Sequence, residues 1–205
     1  MPHPPSGPVA LTDLRVDGDR LLRRLDDLAA IGAITGAAGE RGSARLALTD
    51  ADREGRDLVV TWMRDLGLEV RVDAIGNVIA VRPARDGSTE APVMCGSHID
   101  TVRTGGRFDG NLGVLSGIEV IETLMSAGIE TTRPFAVGFF TNEEGARFNP
   151  DMMGSLVYAG GMTAEEAYDV VGIDGASVGA ELDRIGYRGP HPTPGPVPSS
   201  PRAAT

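Results

Sequence analysis

The sequence predicts an α/β fold built on a mixed sheet. Segments with helically spaced apolar residues alternate with short apolar runs, in the order helix, helix, strands, helix, strand, helices. This order is typical of a layered domain in which helices pack on a sheet. The run Pro134–Phe140 is apolar throughout, as in a strand that is covered on both faces. Two motifs rich in ionisable side chains each follow a predicted strand directly, which places a candidate site at the sheet edge.

The first predicted helix runs from Val16 to Ile31, with Asp17 as its N-cap. Its apolar positions recur at helical spacing and are Leu21, Leu22, Leu25 and Leu28. The glycine-rich residues 32–43 that follow are expected to form a loop.

A second helix is expected to start at Thr49, which forms a capping-box pattern with Asp52, and to end at Gly67. Its apolar stripe includes the single tryptophan of the chain and is interpreted as core rather than as a binding site. The stripe consists of Leu58, Val59, Trp62, Met63 and Leu66.

The remaining elements follow from short apolar runs and helical spacing. Strands are predicted at Leu68–Val72, Asn77–Val81, Pro92–Cys95 and Pro134–Phe140. Helices are predicted at Gly113–Ala127, from Thr163 with Glu166 as its capping-box partner, and over Gly175–Ile185.

Three segments are predicted along the chain. Residues 1–12 are proline-rich and are expected to be disordered, residues 13–188 form the folded domain, and residues 189–205 form a disordered Pro/Ser-rich tail.

Composition excludes several classes of function. A net charge of −10 speaks against binding to nucleic acid or to an anionic membrane, since both require a basic face. The sequence has neither an apolar run of membrane-spanning length nor a signal-peptide pattern at its start. The single cysteine, Cys95, suits a reducing cytoplasm, where we expect the protein to be found. Cys95 lies in an apolar run and is interpreted as a buried strand residue rather than as a nucleophile.

The two motifs contain the residue types of a metal site. The first, GSHIDTVRTGGRFDG, contains His98, Asp100 and Asp109, and the second, FFTNEEGARFN, contains Glu143 and Glu144. One imidazole with several carboxylates suits a borderline divalent ion such as Zn, Mn, Co or Ni. Neither motif is specific alone, because a His-x-Asp is common in loops and a Glu pair is usually a solvated surface. Their shared position after apolar strands favours metal binding.

Each residue has an expected role. Asp100 lies two positions after His98, so in an extended segment its carboxylate is expected to accept the other ring N–H of His98. Asp109 is the candidate for a carboxylate that bridges two ions. Glu143 and Glu144 face opposite ways if extended, so one would bind metal and the other would act as general base.

The residues GSHIDTVRTGGRFDGNLGVLSGIEVIETL and FFTNEEGARFNPDMMGS closely resemble the hydantoinase/carbamoylase amidohydrolases. This branch includes N-carbamoyl-L-amino-acid hydrolases, allantoate amidohydrolases and beta-ureidopropionases, and it lies within the aminoacylase/carboxypeptidase-like dinuclear metallohydrolases. The resemblance extends from about Leu11 to Pro190. It implies the N-terminal part of a zinc-exopeptidase-like catalytic domain without its lid domain.

The resemblance also implies roles for the motif residues. His98 would bind one of two divalent ions, Asp109 would bridge them, and Glu144 would bind the other. Glu143 would act as the base that activates water, and Asp100 would orient His98. The substrate would be a small N-carbamoyl amino acid or ureido compound, of which a linear C–N bond is cleaved.

Family members look about twice as long, so the sequence predicts a truncated chain. Further ligand histidines of the family are missing from it, and His3 and His191 lie in proline-rich ends. We therefore expect weak or absent metal binding, an inactive chain and no lid-type dimerisation. Two alternatives remain open: a dipeptidase or aminoacylase of the same clan, and a non-catalytic fragment that is completed by a second chain.

Overall fold

The computed structural model describes residues 11–193, which form one α/β unit with a mixed sheet, as the sequence predicts. The helices are α1 Gly18–Ala30, α2 Asp50–Asp65, α3 Asn111–Ser126, α4 Met153–Tyr158, α5 Ala164–Tyr168 and α6 Val178–Ile185. The strands are β1 Ala33–Thr35, β2 Arg41–Ser43, β3 Glu69–Val72, β4 Val78–Arg82, β5 Val93–Ser97 and β6 Phe135–Phe139.

Most of the two segments predicted to be disordered lies outside the described residues. Leu11–Asp13 form one short 3-10 turn ahead of α1. At the other end, the backbone N–H of Gly189 donates to the carbonyl of Asp73 at 3.0 Å. His191 pairs with Asp73 as an isolated bridge, so the start of the predicted tail lies against the end of β3.

The main sheet has the strand order β3-β4-β6-β5. β3 with β4 and β4 with β6 are antiparallel, whereas β5 and β6 are parallel. The parallel pair brings the carboxyl ends of β5 and β6 to the same edge of the sheet. The backbone N–H of Phe140 donates to the carbonyl of Ser97 at 2.9 Å and locks the two ends together.

Two glycines allow β5 and β6 to pack closely. Gly96 pairs with Gly138 in the parallel ladder. A Cβ on Gly96 would overlap the carbonyl oxygen of Gly138, and a Cβ on Gly138 would overlap the Ile79 side chain. On α3, a Cβ on Gly117 would lie 2.6 Å from Val137 and 2.7 Å from the Cys95 sulfur, so α3 sits directly on these two strands. The close packing of β5, β6 and α3 therefore depends on glycines, and this packing positions the segments that follow the two strands.

The core lies between the sheet and the helices. Helix α3 packs on β5 and β6, α1 packs on α3, and α2 packs on β3. The interpretation of the α2 stripe holds in part: Val59 and Met63 are fully buried, whereas Trp62 is half-buried at the margin of the core beneath the Arg24 guanidinium. Leu22 of α1 is 52% exposed and does not belong to the core.

Several predicted helix starts are confirmed by their caps. The Asp17, Thr49 and Thr163 side chains accept backbone N–H groups at the starts of α1, α2 and α5. The full capping box predicted at Thr163 and Glu166 is present. The box predicted at Thr49 is incomplete, because the Asp52 carboxylate accepts from the backbone N–H of Leu48 and from Arg56 instead.

The prediction of a loop over residues 32–43 is wrong in part. β1 and β2 form an antiparallel hairpin, with Ala33 paired to Ser43. The hairpin is held by a distant segment, because Ser43 and Gly105 exchange both backbone hydrogen bonds, at 2.9 and 3.0 Å. Strands this short are stabilised by tertiary pairing, which a local glycine-rich pattern does not reveal.

Helix α4 was not predicted. Its N-cap, Met152, has φ +50° and makes no side-chain capping bond, so the usual start signal is missing. The helix is started by tertiary contacts instead. The backbone N–H groups of Met153 and Gly154 donate to the carbonyls of Asn142 and Thr141.

Candidate metal centre

The two motifs meet at the carboxyl ends of β5 and β6. His98 directly follows β5, and Glu143 and Glu144 follow β6 after the buried pair Thr141 and Asn142. The sequence placed them at one edge because each follows an apolar strand, and the parallel β5–β6 pairing brings them there.

The ring of His98 is held by the main chain. Its Nδ1 lies 3.0 Å from the carbonyl oxygen of Asp100, so Nδ1–H can donate to that carbonyl while Nε2 faces the carboxylates of Asp109 and Glu143. The carboxylate of Asp100 was expected to make this contact. That expectation is wrong: Oδ1 of Asp100 lies 3.9 Å from Nδ1, beyond hydrogen-bond distance, because the side chain is turned toward the segment that follows β6.

The carboxylate of Asp100 instead joins the two motifs. Its two oxygens accept the backbone N–H groups of Glu143 and Glu144, each at 3.2 Å. Burial raises the pKa of Asp100 to about 6, and the nearby Asp52 adds to this, whereas His98 and the two N–H groups oppose it. One buried side chain thus fixes the position of the whole Glu143–Glu144 segment.

Three side chains form a group with the composition and spacing of a metal site. His98, Asp109 and Glu144 each offer one ligand atom, and these three atoms lie within 4.8 Å of one another. Among the residues that the structure describes, this is the only such group of three. His98 is buried, Glu144 is half-buried and Asp109 is exposed, so the group opens to solvent on the Asp109 side.

Glu143 lies beside the same group. Its Oε2 is 3.2 Å from His98 Nε2, and its side chain is 33% exposed. The pKa of Glu144 lies above its ordinary value: burial raises it, His98 lowers it, and the charges of Asp109 and Glu143 raise it further. The crowding of three carboxylates around one imidazole is what a bound cation would relieve.

Gly110 lets the backbone approach the imidazole. It has φ +64° and is the N-cap of α3. A Cβ at this position would overlap the His98 ring. The glycine of the GGRFDG motif that follows Asp109 is therefore required both by its dihedral angle and by the space it leaves.

The sequence reasoning missed several residues that build the site. Asn142 has φ +54°, and its side-chain amide donates to the carbonyls of Phe148 and Pro150, which shapes the loop around Glu143. An asparagine at this position is a recognisable signal, since it tolerates the left-handed region. Arg45 and Asn111 are joined by a hydrogen bond although they lie 66 positions apart in sequence, and no local pattern marks them.

Cys95 is half-buried on β5, and its sulfur contacts the Ala136 carbonyl at 3.8 Å. Burial raises the pKa of its thiol, which favours the neutral form. These observations agree with the interpretation of Cys95 as a packing residue rather than as a nucleophile.

Comparison with known proteins places this site in a family. Residues 94–188, which hold both motifs, match Peptidase family M20/M25/M40. The chain is 49% identical over 175 residues to an N-carbamoyl-L-amino-acid amidohydrolase of Rhizobium meliloti, which covers 85% of this chain and 41% of that protein. It is 34% identical over 167 residues to a ureidoglycolate hydrolase of Arabidopsis thaliana, which covers 82% of this chain and 34% of that protein.

A solved structure shows the same relationship. A hydantoinase/carbamoylase family amidase from Burkholderia ambifaria superposes with a TM-score of 0.83 at 49% sequence identity, over 90% of this chain and 44% of that chain. The chain thus spans less than half the length of the relatives it matches. The resemblance seen in the motifs is confirmed: the chain contains a Peptidase family M20/M25/M40 domain and belongs to the hydantoinase/carbamoylase amidohydrolases.

Proposed function

We propose that the protein to which these residues belong is a metal-dependent hydrolase that cleaves a linear C–N bond of an N-carbamoyl amino acid or ureido compound. One observation supports this most strongly: His98, Asp109 and Glu144 converge within 4.8 Å, with Glu143 beside them. The names of the relatives, amidohydrolases and a ureidoglycolate hydrolase, supply the substrate class.

The donor set fits a divalent cation of the Zn, Mn, Co or Ni type, since it combines one neutral imidazole nitrogen with carboxylate oxygens. When bound, such an ion polarises a carbonyl oxygen and lowers the pKa of water. Asp109, the exposed member of the group, would be a ligand shared by two ions, and His98 and Glu144 would each be a ligand of one of them.

Glu143 is proposed to act as general base. Its carboxylate is one-third exposed, lies 3.2 Å from His98 Nε2 and stands outside the group of three ligands, so it can take a proton from an attacking water. Asp100 holds the backbone of Glu143 and keeps it within reach of the site. The same proton is then available for the departing amine or ammonia, as general acid–base catalysis requires.

The described residues supply an incomplete ligand set for two ions. Three ligands shared between two cations leave each with two, whereas a catalytic zinc site normally uses three protein ligands. We therefore propose that this chain alone binds metal weakly and does not turn over substrate. Completion by a second polypeptide is the alternative, and a metal affinity that appears only on mixing with that polypeptide would favour it.

Two further expectations remain predictions. No helix in residues 11–193 is both long enough and apolar enough to cross a membrane. We propose a cytoplasmic protein, because its single cysteine suits a reducing compartment, and we propose that it has no nucleic-acid or membrane partner, because its net charge is −10. Activity on dipeptides or N-acyl amino acids, as in other members of the wider clan, is tested by assaying these substrates beside N-carbamoyl amino acids in any preparation that binds metal.

Titration of the purified chain with manganese or zinc by calorimetry tests the proposed site. We expect one or two ions to bind, with a stoichiometry that distinguishes a single three-ligand site from a bridged pair. Glu144→Ala should weaken binding by at least about tenfold, because it removes one of three ligands from a site that is already short of ligands.

The matched control is Glu54→Ala, which removes an exposed carboxylate of α2 and should leave the affinity unchanged. Equal binding by the wild-type chain, Glu144→Ala and Glu54→Ala would mean that the ions bind elsewhere on the acidic surface. That result would contradict the proposed site.

A further inference from the structure

Arg45 is a fully buried cation that no carboxylate neutralises by a direct hydrogen bond within the described residues. It lies in the segment between β2 and α2. Burying a guanidinium costs several kcal/mol unless its donors are satisfied, and an apolar side chain often packs at least as stably. A buried arginine without a carboxylate partner is therefore expected to serve a purpose other than stabilising the fold.

The donors of Arg45 are directed at two site segments and at the end of α1. Nε donates to the carbonyl of Ile99 at 2.8 Å, and Nη2 donates to Asn111 Oδ1 at 2.9 Å. Nη1 donates to the carbonyls of Leu28 and Ile31 at 3.0 and 2.9 Å. The terminal carbonyls of a helix are favourable partners for a cation, so α1 serves as a fixed support.

The main chain of Arg45 adds two bonds to the same loop. Its backbone N–H donates to Thr101 Oγ1 at 2.7 Å, and its carbonyl accepts the backbone N–H of Thr101 at 2.9 Å. On the other side, α2 approaches the side chain closely: a Cβ on Gly55 would lie 2.8 Å from Arg45 Cδ. Arg45 is thus fixed along its whole length.

These contacts join the segments that carry the proposed metal ligands. Ile99 lies between His98 and Asp100, and Asn111 lies two residues after Asp109. We propose that Arg45 is a positioning residue of the metal site: its planar guanidinium sets the spacing between the His98–Asp100 segment and the turn that carries Asp109. This inference rests on the proposed function, since it concerns the same site.

Charge supports the same role. Four acidic side chains surround His98 at this edge of the sheet: Asp100, Asp109, Glu143 and Glu144. Burial lowers the pKa of Arg45, and the charges of Asp52 and Asp100 oppose this change. Arg45 therefore keeps a positive charge near Asp100, whose carboxylate holds the backbone of Glu143 and Glu144.

Arg45→Met, Arg45→Lys and Asn111→Ala test the inference, with the buried core variant Met63→Ala as control for general destabilisation. Asn111→Ala keeps Arg45 but removes its hydrogen bond to the segment that follows Asp109. This variant therefore tests the positioning role even if the Arg45 variants do not fold. The first readout needs no metal and is amide hydrogen exchange, followed residue by residue.

In Arg45→Met and Asn111→Ala, exchange should accelerate by about tenfold or more at residues 98–112, whereas the β4 and β6 amides should keep their relative protection. Manganese affinity, measured where circular dichroism shows each variant to be folded, should fall by about 10- to 100-fold in Arg45→Met. Arg45→Lys retains the positive charge but lacks the planar guanidinium, so its manganese affinity should lie between that of Arg45→Met and that of the wild type. Met63→Ala should keep its affinity within about twofold.

The positioning role would be overturned by two results together. Exchange in Arg45→Met and Asn111→Ala would accelerate uniformly, as in Met63→Ala, and their manganese affinity would be unchanged. If the wild-type chain binds no manganese, the proposed metal site fails instead. The exchange pattern then still decides whether Arg45 couples the two loops, since it is measured without metal.

Discussion

Replacing Gly110 with alanine is expected to abolish metal binding by this chain. Two physical costs add at this position. Its φ of +64° costs an alanine about 1 to 2 kcal/mol, and the new Cβ would overlap the His98 ring, which must then turn away from Asp109 and Glu144. Because His98 offers the single nitrogen ligand of the group, a rotated ring leaves only carboxylates. Calorimetric titration with zinc should show a loss of affinity of at least about 100-fold, or about 2.7 kcal/mol.

Gly106→Ala is the matched control for this experiment. Gly106 belongs to the same motif but has no atom within 4 Å of the position that its Cβ would take. Zinc affinity should therefore stay within about twofold of wild type, which is a change of about 0.4 kcal/mol. Equal losses in Gly106→Ala and Gly110→Ala would show that the motif tolerates no substitution for reasons unrelated to His98.

Replacing Glu119 with glutamine is expected to destabilise the fold by about 3 kcal/mol at neutral pH, since it removes one partner of a buried ion pair. The Glu119 side chain is 1% exposed and holds α3 against α1. It accepts two bonds from the Arg20 guanidinium, at 2.8 and 2.7 Å, and one from the backbone N–H of Asp17 at 2.8 Å. Urea unfolding followed by circular dichroism measures the change.

The effect of Glu119→Gln should depend on pH in a defined direction. Burial by itself raises the pKa of Glu119, but hydrogen bonds from Arg20, Asp17 and Thr123 outweigh it, so the pKa in the folded protein lies below the ordinary value of 4.5. Because the pKa is lower in the folded than in the unfolded chain, the ionised carboxylate stabilises the fold at pH values above the unfolded-state pKa. This stabilisation is lost as the pH falls through the folded-state pKa.

The difference in unfolding free energy between wild type and Glu119→Gln should therefore be largest above about pH 5 and should shrink below about pH 4. The exposed Glu54 provides the control, and Glu54→Gln should change the stability by less than about 0.5 kcal/mol at either pH. A difference between wild type and Glu119→Gln that stays constant down to pH 3 would contradict the role assigned to this ion pair.

Local signals in the sequence were enough for most of the fold. The caps at Asp17, Thr49 and Thr163 and the apolar run of β6 identify their elements because the physical cause lies within a few residues. The β1–β2 hairpin was missed because Gly105, more than sixty residues away, completes its pairing. Helix α4 was missed because backbone groups of the Thr141–Asn142 segment start it in place of a capping side chain.

The candidate site, like the fold, could be predicted only in part from the sequence. Residue types and positions after strands identify His98, Asp109 and one member of the Glu143–Glu144 pair as candidate ligands, and the family resemblance assigns that role to Glu144. The structure brings His98, Asp109 and Glu144 together. The direction of the Asp100 carboxylate was not visible. It depends on where the β6 loop lies, and the side chain accepts N–H groups of Glu143 and Glu144 rather than the ring N–H of His98.

By itself the sequence determined the class of fold, the candidate ligands and the family, because short-range patterns and motif residues encode all three. Only the tertiary structure decided which groups hold those ligands in place. Arg45 contacts Asn111 across 66 positions of sequence, and Asp100 contacts Glu143 across 43. Such contacts arise from the parallel pairing of β5 with β6 and from the packing of α1 on α3, and no local pattern of residues contains them.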